Sequence, residues 1–202
     1  MSTELLVVQR DNILLLSLDS DDGYPRLERK ILAEFKTQIG TLAESRDQIG
    51  AVITGTERAF ATGAEITELS KLTPAEAFEF ARYGQSIMRA IESSRKPVIA
   101  AIRGYCIGGG LDLALACRAR IASPDAVFAH PGASLGVITG WGGTQRLPRL
   151  IGRARAAEML ITARRIGAQD ALGFGLVQKV VPAEEMTSEG MQLLKSYVRA
   201  QS

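Results

Sequence analysis

A chain of 202 residues with 46% hydrophobic content is long enough to bury a core as one domain. Its formal net charge of +2 is too small to point to a nucleic-acid partner or an anionic surface from charge balance alone. Charge or glycine breaks every apolar run short of the roughly 20 residues a spanning helix needs, and the start "MSTELLVVQRDN" lacks a signal-peptide core, so no membrane partner is expected.

In chain order, "ELLVVQR" and "NILLLSL" read as two strands joined by a tight turn at Asp11 and Asn12. Leu27, Ile31, Phe35, Ile39 and Leu42 then recur at helical spacing, and "IGAVIT" follows as a short buried strand. A helix is predicted from about Pro74 to Ser94, then a strand from Pro97 to Ile102, a glycine stretch, a helix to Cys117, and strands at "ARIAS" and "AVFAH". "GGTQRLPRLIG", "RARAAEMLITA" and "AQDALGFG" read as short helices, "LVQKVV" as a last strand, and a polar helix starts near Pro182. The rhythm is α/β, with a strand, strand, helix unit that loosely recurs. The two cysteines, Cys106 and Cys117, sit in apolar surroundings without metal-ligand spacing, which fits a reducing, cytoplasmic setting and no metal site.

Chemistry is concentrated at "GYCIGGGLDLALACRARIAS". Glycine permits a tight strand-to-helix junction, which by itself explains Gly108, Gly109 and Gly110. A phosphate loop is the functional rival, because a helix N-terminus offers free N–H groups to an anion. The spacing refuses it: no Gly-Lys-Ser/Thr follows, and counting G-x-G-x-x-G from Gly108 ends on Leu113. Besides the tight junction there remains the reading of backbone donors at a positive helix end, bare enough for a carbonyl oxygen to approach and able to form half of an oxyanion hole. A second bare junction at Gly63 and Ala64, in the loop after "AVIT", would supply the other half.

"AFATGAEI", "KPVIAAIRGYCIGGGLDLALACRARIAS", "LGVITGWGGTQRLPRLIG" and "GLVQKVVP" resemble successive signatures of the crotonase superfamily of enoyl-CoA hydratases and isomerases, over about Ile49 to Pro182. The resemblance implies an α/β fold that is a spiral of ββα turns, and an acyl-CoA thioester substrate that brings its own coenzyme A, so that no separate cofactor is needed. It implies an oxyanion hole from the N–H groups of Ala64 and Gly109, with Gly63, Glu65, Ile66, Gly108, Gly132 and Trp141 in the substrate-binding set. It further implies a homo-oligomer, a trimer or hexamer. Core residues 1–182 would be followed by a shortened C-terminal helical segment, 183–202.

The pattern is broken where hydration needs it. A typical hydratase resembles "GGG-x-E" followed by "F-G-x-P-E", with two glutamates holding one water; here those positions are Asp112 and Gly132. Each positioned acid or base is worth about 10²–10⁴-fold, so a two-glutamate mechanism is not available. Asp112 is the leading catalytic candidate, its other reading being a charge interacting with the helix dipole. His130, the only histidine, is the second; its other reading is a structural histidine near the sheet end, and its alignment with position 132 requires a strand that persists through Pro131. A carboxylate at position 132 is expected to raise hydration, provided the backbone tolerates a side chain. Glu65 and Glu68 are given no catalytic role. Arg26 is a candidate phosphate contact, and six arginines between Arg146 and Arg165 form a basic run that reads as a solvated face or as a contact for coenzyme A phosphates. Isomerisation, decarboxylation, and a weakly catalytic subunit binding an acidic partner or RNA through those arginines remain the alternatives.

Overall fold

The strand-turn-strand start forms as β1 (Thr3–Arg10) and β2 (Ile13–Ser20), an antiparallel pair closed by Asp11 and Asn12. Both turn residues have positive φ, 49° and 61°, the backbone twist a two-residue hairpin requires. These features come from a computed structural model that describes residues 2–200; residues 201 and 202 of the expected C-terminal segment lie outside it.

After α1 (Arg29–Glu44) the chain makes three ββα turns. β3 (Gly50–Thr54) and β4 (Ala59–Ala61) lead through the short α2 (Ile66–Leu69) to α3 (Pro74–Glu92). β5 (Val98–Ile102) and β6 (Tyr105–Ile107) lead to α4 (Gly109–Ala116). β7 (Ala119–Ala122) and β8 (Val127–Ala129) lead through a 3₁₀ turn (Pro131–Leu135) to α5 (Gly143–Ile151). The first strands, β3, β5 and β7, lie side by side and parallel in one sheet, while β4, β6 and β8 do the same in a second. That is a ββα spiral. α6 (Arg153–Thr162), β9 (Ile166–Gly167), α7 (Ala168–Gly173), β10 (Lys179–Val180), a second 3₁₀ turn (Ala183–Glu185) and α8 (Met186–Arg199) complete it.

The helices follow from their sequences. α3 opens with a capping box, Thr73 and Glu76 exchanging hydrogen bonds, with Pro74 at a position where no N–H is needed. Its buried face is Phe80, Gly84, Ile87, Met88 and Ile91. α4 is buried from Gly110 to Ala116, its apolar side chains part of the main core. Its C-terminus is held by Arg120, whose guanidinium donates to the carbonyls of Ala114, Cys117 and Leu176. α8 covers the opposite face of the first sheet, with Met186, Met191 and Leu194 packed among Val52, Ile99 and Ile121.

Three local expectations are corrected. β4 and β6, expected as loop and glycine stretch, are three-residue strands, too short to show alternation. Leu27 is buried but precedes α1, and its N–H donates to the Gly63 carbonyl at 2.8 Å. "LVQKVV" yields only the two paired residues of β10, next to β7.

Candidate active site

β4 and β6 are parallel neighbours, so the loops that leave them meet. Gly63 has φ +91°, and a Cβ there would lie 2.7 Å from the Gly109 nitrogen; a Cβ on Gly110 would lie 2.2 Å from the Ala61 carbonyl oxygen. Only glycine allows the two backbones to approach this closely. The Ala64 loop is pinned from behind, with Leu27 N–H on the Gly63 carbonyl and Thr62 N–H on the Pro25 carbonyl, each at 2.8 Å. Among the described residues, neither Ala64 N–H nor Gly109 N–H has a hydrogen-bond partner.

A cavity of about 320 Å³ opens on both residues. Ala64, Ile66, Gly108, Gly109, Asp112, His130, Gly132 and Trp141 all line it. Gly63 and Glu65 do not. Gly63 is spent on the close approach to Gly109, and the Glu65 carboxylate turns away to Arg26 Nε at 2.8 Å and to Thr67, whose N–H it accepts at the start of α2. The Thr67 amide, with the Thr67 hydroxyl and Arg26, holds Glu65 below its ordinary range. Arg26 is bound by Asp22 as well, at 2.9 Å, so it is a strut between two carboxylates rather than a waiting phosphate contact.

Asp112 sits in the first turn of α4, 1% exposed. The Thr139 hydroxyl donates to its Oδ2, as does Trp141 N–H at 3.2 Å. Oδ1 has no partner. Burial pushes the carboxyl up to about 6, opposed chiefly by the hydrogen bonds from Thr139 and from the Trp141 amide. His130, 2% exposed, caps the 3₁₀ turn that begins at Pro131, so β8 does not persist through the proline. His130 nevertheless faces Asp112: Nε2 lies 3.7 Å from Oδ1, and among the described residues neither ring nitrogen has a hydrogen-bond partner. Burial lowers its pKa to about 4.

Gly132 supplies no side chain, and a Cβ there would lie 2.7 Å from the Val137 carbonyl oxygen, whose own residue donates its N–H back to Gly132. The expected gain from a carboxylate at 132 is therefore corrected: that backbone has no room for one. The titratable side chains lining the cavity are Asp112 and His130.

Two residues carry the site without having been singled out in the sequence. Thr139 fixes Oδ2, and Gly143 leaves the space in front of the pair, since a Cβ there would lie 2.3 Å from Asp112 Oδ1 and 2.8 Å from His130 Nε2. The sequence signal was "ITGWGG", a hydroxyl and three glycines in one short loop. Trp141 is 4% exposed and packs edge-on against Phe80. Of the six arginines, Arg146 donates to Glu92 and to the Trp141 carbonyl, Arg164 pairs with Glu158, and Arg155 lies over the Phe174 ring, which disperses the run. Among the described residues no cluster of three metal-ligating side chains occurs, and no helix is long and apolar enough to cross a membrane. Both cysteines are buried and free.

A family model described as Enoyl-CoA hydratase/isomerase matches residues 9–202. The chain is 38% identical over 191 residues to a crotonyl-CoA hydratase of Syntrophomonas wolfei, covering 94% of this chain and 74% of that protein. It is 33% identical over 195 residues to a short-chain-enoyl-CoA hydratase of Clostridium acetobutylicum, covering 96% and 75%. Among solved structures, enoyl-CoA hydratase from Bacillus anthracis superposes with a TM-score of 0.90 at 34% identity, covering 95% of this chain and 75% of that one. DspI of Pseudomonas aeruginosa gives 0.92 at 34% identity, covering 98% and 75%. The chain belongs to the enoyl-CoA hydratase/isomerase family, within the crotonase superfamily.

Proposed function

We propose that the cavity binds an acyl-CoA thioester with its carbonyl oxygen on the N–H groups of Ala64 and Gly109, and that Asp112 is the acid and base acting on the bound acyl group. The observation that carries this reading is the convergence of two unpartnered backbone donors and a buried carboxylate with one free oxygen on the same cavity. When a proton leaves the α-carbon, or an oxygen adds at the β-carbon, charge moves onto the thioester oxygen. Two fixed donors stabilise that charge by an amount on the order of several kcal/mol. Oδ2 is held by Thr139 and Trp141, so Oδ1 is the oxygen that takes and returns the proton. His130 Nε2 stands on the other side of the space that Gly143 leaves open and is the second contact for a water or a proton in transit.

The names of the relatives, crotonyl-CoA hydratase and short-chain-enoyl-CoA hydratase, favour hydration of a 2-enoyl-CoA. A second reading, isomerisation or decarboxylation through the same enolate, is favoured by Asp112 being, among the described residues, the one carboxylate that lines the cavity. Incubation with enoyl-CoA esters, followed by product mass, separates them, because hydration adds a water and isomerisation does not. Salt-sensitive RNA binding with no affinity for acyl-CoA would instead favour a binding subunit. The assembly is proposed to be a trimer or hexamer of this chain.

A further inference from the structure

Trp141 is held more tightly than a residue that merely fills space. Its backbone N–H is tied to Asp112 Oδ2, and its carbonyl accepts from Arg146 Nη1 at 3.0 Å. Its indole lies in a slot made by two glycines on different helices. A Cβ on Gly84 of α3 would lie 2.2 Å from Nε1, and a Cβ on Gly109 of α4 would lie 2.4 Å from Cζ3. One edge of the ring system therefore abuts the residue proposed to donate to the thioester oxygen, and the other reaches across to α3. Phe80 meets the indole edge-on with ring centroids 5.5 Å apart, and Arg29 covers the Phe80 ring at 4.6 Å. The indole is wedged between the two helices, and the carboxylate holds the backbone from which it projects.

We infer that Trp141 is the stop of the acyl site: a short linear acyl group ends against the indole, and longer chains are excluded by it. This rests on the proposed acyl-CoA reading. An acyl group whose carbonyl oxygen is on Gly109 N–H and whose α-carbon faces Asp112 starts beside the indole, since that ring is rooted at both groups. Shortening the side chain at 141 removes the indole that fills the slot between Gly109 and Gly84, whereas a methyl at Gly84 forces the indole to shift.

The test uses saturated acyl-CoA esters, which bind without turnover, and reads the ratio of Kd values for butyryl-CoA and decanoyl-CoA by calorimetry. The native protein is expected to prefer butyryl-CoA by at least tenfold, Trp141→Ala to lose or reverse that preference, and Gly84→Ala to sharpen it. A native protein that binds decanoyl-CoA as tightly as butyryl-CoA overturns the inference even if neither variant folds. So does a folded Trp141→Ala that keeps the native ratio, while both esters still bind. Failure of the native protein to bind either ester overturns the acyl-CoA reading, and the inference with it.

Discussion

Oδ1 of Asp112 lies 3.7 Å from Nε2 of His130, each buried and each without a hydrogen-bond partner. With the carboxyl raised to about 6 and the imidazole lowered to about 4, the pair stands near neutral pH as a carboxylate beside an uncharged ring rather than as an ion pair. Both shifts have desolvation as their largest cause, so the site holds ready polar atoms at a cost to stability.

Asp112→Asn is expected to lower turnover by about 10²–10⁴-fold while leaving acyl-CoA affinity within a few-fold, since binding rests on backbone donors. It is also expected to raise thermal stability above about pH 6. The folded pKa, about 6, exceeds the ordinary 3.8, so ionisation costs stability progressively across that window and the full cost is present above it. That cost is on the order of 3 kcal/mol and is absent in the amide. Melting curves at mildly alkaline pH check it, and a lower midpoint for the variant contradicts it.

His130→Gln should flatten the acid side of the stability curve. The folded histidine titrates near 4, below its ordinary 6.5, so its contribution is intact above 6.5 and is lost as pH falls toward 4. The variant's midpoint difference between about pH 5 and neutral pH is expected to be smaller than that of the native protein by an amount on the order of 2 kcal/mol. An unchanged difference means the ring is already free to charge.

Thr139→Val removes the donor that holds Oδ2 and opposes the upward shift of Asp112. The acid limb of kcat/KM is expected to move up by about one pH unit, and Thr139→Ser to restore it. A fall in rate with an unmoved limb reduces Thr139 to a packing residue.

Gly132→Glu is expected to bring no gain in crotonyl-CoA hydration and to cost about 1–3 kcal/mol of stability, because the Val137 carbonyl occupies the space of its Cβ. A variant with both a normal melting point and faster hydration shows that the 3₁₀ turn gives way.

Light scattering at micromolar concentration should give a mass that is three or six times the 21.7 kDa of one chain. Ile161 on α6 is 74% exposed and Leu172 on α7 is also exposed, apolar surface of the kind an interface covers. A stable monomer rejects the assembly.

The hairpin turn at Asp11 and Asn12, the apolar face of α1 and the glycine run that opens α4 were legible because each is written in nearby residues: turn formers, a helical period, a permissive backbone. The family motifs, similarly local, singled out Ala64, Gly109 and Asp112, all of which line one cavity. What they left open was direction and company. Glu65 follows Ala64 immediately yet turns to Arg26, a residue from the far side of α1, because a nearby cation and the open end of α2 outcompete the cavity for its carboxylate. His130 was expected to depend on a continuing strand; it reaches Asp112 without one, since the 3₁₀ turn redirects the chain. Thr139 and Gly143 belong to the site only because the third ββα turn brings their loop over the first turn of α4, and contact across 27 residues of chain leaves no period or cap to read. Local motifs pointed to the Ala64 and Gly109 N–H groups and to Asp112 as candidates. Which oxygen is free, what faces it, and where the backbone has no room for a second carboxylate were decided by packing between elements far apart in sequence.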